Sequence, residues 1–61
     1  MSQVYNPEVG LIEEIERLAR EARDVRRRIE QAGSPADQQV LQQQLTEIEE
    51  SIQALQTRLP H

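Results

Sequence analysis

Two apolar stripes, each at heptad spacing and mirrored about a single break, constrain this chain more than any other feature. Leu11, Ile15, Leu18, Ala22, Val25, Ile29 and Ala32 recur at alternating steps of four and three residues. Leu41, Leu45, Ile48, Ile52, Leu55 and Leu59 repeat the pattern after Gly33-Ser34-Pro35. Such alternation keeps one edge of an α-helix apolar and is the pattern of left-handed helix packing. Glu, Gln, Arg, Leu and Ala dominate both stretches, and all are strong helix formers. The spacing predicts helices over 7–32 and 35–59, each roughly 37–39 Å long at 1.5 Å per residue. They form a single helical-hairpin domain over 7–59 with a turn at 33–34. Residues 1–6 are an N-terminal arm for which order and disorder both stay open, and residues 60–61 are a tail.

Local punctuation agrees. Pro7 and Pro35 suit the first position of a helix, where a missing N–H removes no bond. Asn6 and Ser34 precede them, and their side-chain oxygens suit the N-cap. Asp37, three residues after Ser34, gives an acidic capping box with a shorter arm than Glu. Gly33 fits the left-handed residue that closes a helix, and Pro60 ends the second. Tyr5 has no staple partner, because the position that should receive it is Gly10. Either Tyr5 packs near Leu59 at the opposite end of the hairpin, or the first helix starts later.

So short a connection forces antiparallel neighbours. In an antiparallel hairpin, facing residues have a constant index sum. Leu11 with Leu59, Ile15 with Leu55, Leu18 with Ile52, Ala22 with Ile48, Val25 with Leu45 and Ile29 with Leu41 all give 70. Six apolar layers line up without a slip, and Glu14 falls near Arg58 beside the seam. The expected fold class is all-α: an antiparallel two-helix hairpin with coiled-coil-like packing. Two helices bury only one seam, and a chain of 61 residues sits below the size at which a lone core is comfortable. Further apolar residues lie beside the stripes: Val9, Ile12, Ala19, Val40 and Ala54. They are the candidate oligomer or partner face. A homodimer forming a four-helix bundle is the economical way to cover them.

Composition removes most chemical roles. The chain has no Cys and one terminal His, so neither a disulfide framework nor a thiolate or imidazole metal site is available. No His, Cys or Lys is placed to act as base or nucleophile, and no glycine loop cradles a phosphate. We expect no catalytic residue, no metal, no cofactor and no small-molecule substrate. Apolar runs are too short for a signal peptide or a membrane span, and a cytoplasmic location is expected.

Charge is distributed unevenly. The net charge is −4, yet six of the seven arginines lie between residues 17 and 28. Arg20, Arg23 and Arg27 share the outward face of the first helix and are the candidate nucleic-acid face, since guanidinium grips phosphate bidentately. Acidic residues are interleaved with them. Glu13–Arg17, Glu16–Arg20 and Asp24–Arg28 are expected as i,i+4 pairs in the favourable order. The glutamine-rich run from Gln38 to Gln44 keeps the heptad, so it reads as helix with an uncharged contact surface.

In length, loop position and heptad pattern the chain is similar to two kinds of small bacterial helical hairpin. One is the Rop-type RNA-binding protein, a dimeric four-helix bundle. The other is the small co-chaperone that holds type III secretion needle subunits. The resemblance brings no motif, so it assigns no functional residue. The expected function is a small non-enzymatic protein–protein interaction module, of adaptor, chaperone or inhibitor type, that self-associates and binds a partner helix. The alternative is a Rop-like RNA-binding dimer using Arg20, Arg23 and Arg27.

Overall fold

A computed structural model describes residues 7–60. They form two α-helices, α1 (Pro7–Gln31) and α2 (Pro35–Gln56), which pack against each other, with no strand among the described residues. α2 begins at the predicted proline, and α1 is helical from Pro7, the first described residue. Asn6, Tyr5 and the rest of the arm lie outside the described residues, as does His61.

The turn differs from expectation at Gly33. No described residue, glycine included, has a positive φ, so Gly33 does not close α1 in the left-handed conformation. Instead the end of α1 tightens: the Ala32 N–H bonds the Ile29 carbonyl at 3.3 Å, an i→i−3 bond that satisfies a terminal carbonyl without a left-handed residue. The chain then extends through Ser34, at φ −131° and ψ 148°. Ser34 caps α2 by accepting a bond from the Asp37 N–H at 3.1 Å. The return bond of a full capping box is absent among the described residues, as the short Asp arm suggests. Asp37 still places a negative charge in the first turn, where the helix dipole favours it.

α2 ends at Gln56, three residues earlier than the periodicity predicts. Thr57 is the C-cap, and its hydroxyl donates to the Ala54 carbonyl at 2.7 Å. The next bonds span three residues: Arg58 N–H to Leu55 and Leu59 N–H to Gln56, at 3.0 and 3.1 Å. Pro60 limits any further helix, since it has no N–H to give the Gln56 carbonyl and its ring disfavours helical geometry at Leu59. Leu59 therefore leaves the helix but stays half-buried.

Packing follows the stripes. Every residue of α2 that is not exposed belongs to its stripe: Leu41, Leu45, Ile48, Ile52 and Leu55. On α1, Leu11, Ile15, Leu18 and Ile29 are half-buried, joined by Ala19 and Glu14. Only Ala22 and Val25 are fully buried among the described residues, at 2% and 4% exposure. Both are small side chains at mid-seam, where the helices cover them completely. The larger Leu and Ile side chains keep one edge in water.

Candidate functional site

The two surfaces of interest lie on the outside of the seam, and helix geometry decides which residues share a flank. Each residue turns the helix by about 100°, so residues two apart point about 200° apart. Arg26 and Arg28 therefore stand on opposite flanks of α1. Arg26 reaches Glu49 of α2 at 2.8 Å. Arg28 lies over a shallow cleft of about 190 Å³, with Glu21, Asp24, Val25, Gln44 and Ile48. It also lines a second cleft, of about 370 Å³, at the hairpin tip, with Gln31, Ala32, Asp37, Val40 and Leu41.

This divides the candidate apolar face. Ile12 and Ala19 precede Arg26 by two heptads and one, so they lie on the Arg26 flank, with Val9 at its outer edge. Val40 lies on the Arg28 flank, and Ala54, two heptads further along α2, follows it. Val9, Ile12 and Val40 are 49%, 45% and 63% exposed, while Ala19 is half-buried and Ala54 exposed. Val40 sits near the tip, roughly 27 Å along the axis from Ile12 at 1.5 Å per residue. The five residues are thus two separate patches, one on each flank. Periodicity read one helix at a time could not reveal this, because the side on which α2 shows its extra apolar residues depends on how the helices are paired.

The ion pairs also rearrange. Arg17 does not take Glu13. Its Nε and Nη2 donate to the two carboxylate oxygens of Glu14 at 3.0 and 2.7 Å, and its Nη1 donates to Glu21 at 2.7 Å. Glu14, Arg17 and Glu21 lie on one side of α1 at spacings of three and four, so one planar guanidinium serves both carboxylates. The hydrogen bond from Arg17 holds the Glu14 carboxyl below the usual carboxylate range, aided by the positive charge and opposed by slight desolvation. The same contact raises Arg17 further. With Glu14 engaged in this way, no Glu14–Arg58 pair forms among the described residues. Asp24 and Arg28 do meet, at 3.6 Å. Glu16 and Arg20 do not.

Arg17, Arg26 and Arg28 are therefore all engaged. Arg20, Arg23 and Arg27 are exposed and make no ion pair among the described residues. The three arginines singled out by their common outward face are the three of α1 left to solvent. The interhelix Arg26–Glu49 pair was missed from sequence. Its signal was present: Arg26 follows Val25 and Glu49 follows Ile48, and antiparallel helices bring equivalent flanks together.

Neither cleft has the enclosed, apolar character of a small-molecule pocket. No group of three or more His, Cys, Asp or Glu side chains among the described residues is arranged to hold a metal ion. Among the described residues, no helix is long and apolar enough to cross a membrane. The chain matches no family model, no curated protein and no solved structure.

Proposed function

We propose that this chain is a small protein–protein interaction module without catalytic activity, which self-associates through its apolar stripe and binds a partner helix by the same means. One observation carries the reading. Of the twelve seam residues paired by index, only Ala22 and Val25 are buried, and the ten others, all of them Leu or Ile, stay partly exposed to water. Apolar surface is stabilising at about 25 cal/mol per Å² once it is covered, and a single hairpin leaves much of that gain unrealised. A two-fold dimer closing a four-helix bundle covers it with no new kind of contact. A partner helix lying in the same groove does so through anchors at helical spacing. Adaptor, chaperone and inhibitor roles all use this mechanism.

Sedimentation equilibrium combined with thermal melts over a wide concentration range tests the proposal. The expected result is twice the chain mass and a melting temperature that rises with concentration. A particle of 7.1 kDa whose melt does not move with concentration overturns it.

A second reading has its own support. Arg20, Arg23 and Arg27 form an unpaired array on the outward face of α1, as phosphate binding by a Rop-like RNA-binding dimer requires. Salt separates the readings. Phosphate binding weakens steeply as salt rises, with each phosphate neutralised adding to the slope, whereas an apolar groove holds. RNA binding that is lost at moderate salt and in the triple alanine variant favours the arginine face.

A further inference from the structure

We infer that the second copy packs with its α1 antiparallel against α1, with the two-fold axis at Ala19. The inference rests on the self-association proposed above and specifies its face and register. Glu16 and Arg23 carry the argument. Both are exposed, and neither has an ion-pair partner among the described residues. They lie one heptad apart on the outer edge of the Arg26 flank, three residues before Ala19 and four after it. A two-fold axis there sets Glu16 against the partner subunit's Arg23, and Arg23 against the partner subunit's Glu16. Isologous contact makes each such pair occur twice. Parallel packing of the same two helices would set like charges against each other.

The neighbours fit this register. Ala19 is the smallest side chain on the flank and is half-buried in the hairpin alone, so two helices approach closely at the axis. Ile12, 45% exposed, falls beside the partner subunit's Arg26, whose methylene stem covers an apolar side chain. On α2 the same flank carries Gln42, Thr46, Gln53 and Gln56, all uncharged. Its acid, Glu49, is already held by Arg26. The opposite flank is different. It bears Glu14, Arg17, Glu21, Asp24 and Arg28, with the three ion pairs internal to α1. Covering that flank would strip water from many charges. The Arg26 flank also bears Glu30, one heptad beyond Arg23, but it carries fewer charges than the other, and Glu16 and Arg23 complement each other across the axis.

The test is a charge swap read by sedimentation equilibrium on the full chain. Glu16→Arg and Arg23→Glu each place like charges together twice, and each is expected to raise the dimer dissociation constant by about tenfold or more. The double variant Glu16→Arg with Arg23→Glu restores opposite charges and is expected to return within about threefold of wild type. Both residue types are good helix formers, so circular dichroism should show unchanged helicity at high concentration. A second measurement does not depend on charge. The chain contains no Cys, so Ala19→Cys should oxidise to a disulfide-linked dimer, while Val40→Cys on the other flank stays monomeric under denaturing, non-reducing conditions. A dimer that ignores the single reversals, or is not restored by the swap, overturns the axis at Ala19 and leaves self-association standing. A monomeric wild type overturns both.

Discussion

Arg26 of α1 donates from Nη2 to Glu49 Oε2 of α2 at 2.8 Å, and among the described residues this is the ion pair that joins the two helices. Each residue directly follows a seam residue, Val25 and Ile48. The pair therefore marks the flank shared by both helices. Its side chains are 54% and 49% exposed, so water screens it. At low concentration, where the hairpin stands alone, a double-mutant cycle on Arg26→Ala and Glu49→Ala should give a coupling of about 0.2–1 kcal/mol that shrinks as salt rises. A coupling well above that range, insensitive to salt, would show the pair desolvated beneath another chain.

Ile48 tests whether the seam is complete within one hairpin. It lines the cleft shared with Val25 and Gln44 and is itself only half-buried. Ile48→Ala should cost roughly 2–5 kcal/mol where association buries the side chain fully, and about half of that where the hairpin stands alone. Urea unfolding of wild type and variant at low and high protein concentration measures both. Equal costs at the two concentrations would place Ile48 outside any interface between copies. A negligible cost at both would remove it from the seam.

The hairpin tip gives two predictions of opposite sign from adjacent residues. Ser34→Ala removes the acceptor for the Asp37 N–H and should cost about 1 kcal/mol. Gly33 has a negative φ, and an added Cβ would meet nothing within 4 Å. Gly33→Ala should therefore stabilise by about 0.4–1 kcal/mol, by restricting the unfolded chain. Thermal melts of the two variants settle both signs. A destabilised Gly33→Ala would mean that the turn needs conformations only glycine reaches.

What was legible in the sequence was whatever depends on one helix at a time. The helix start at Pro35 was written in proline and cap chemistry, and the stripes anticipated which residues of α2 are shielded. What was not legible depends on competition. Arg17 had three carboxylates within reach, Glu13, Glu14 and Glu21, and spacing alone does not rank a bidentate bond to Glu14 above a single bond to Glu13. The stop at Gln56 came with the Thr57 cap and ahead of Pro60, which limits any further helix despite a leucine in register at 59. The split of Val9, Ile12 and Ala19 from Val40 and Ala54 needed the pairing of the helices, a property of neither segment.

The Glu14–Arg17 fork predicts a pH dependence with a definite sign. The hydrogen bond from Arg17 lowers the folded-state pKa of Glu14, so the ionised form is favoured more in the folded chain than in the unfolded one. Its contribution to stability is present above the ordinary carboxylate range and is lost as pH falls through the lowered folded value. Wild type should therefore melt above Glu14→Gln at neutral pH, and the gap should close on acidification. Added salt should narrow it as well, because both side chains are open to water. Carbon-detected NMR titration of the Glu14 carboxyl in wild type and in Arg17→Gln checks the direction directly, and the variant should bring it back up. If the stability gap persists under strongly acidic conditions, ionisation of Glu14 is not its source.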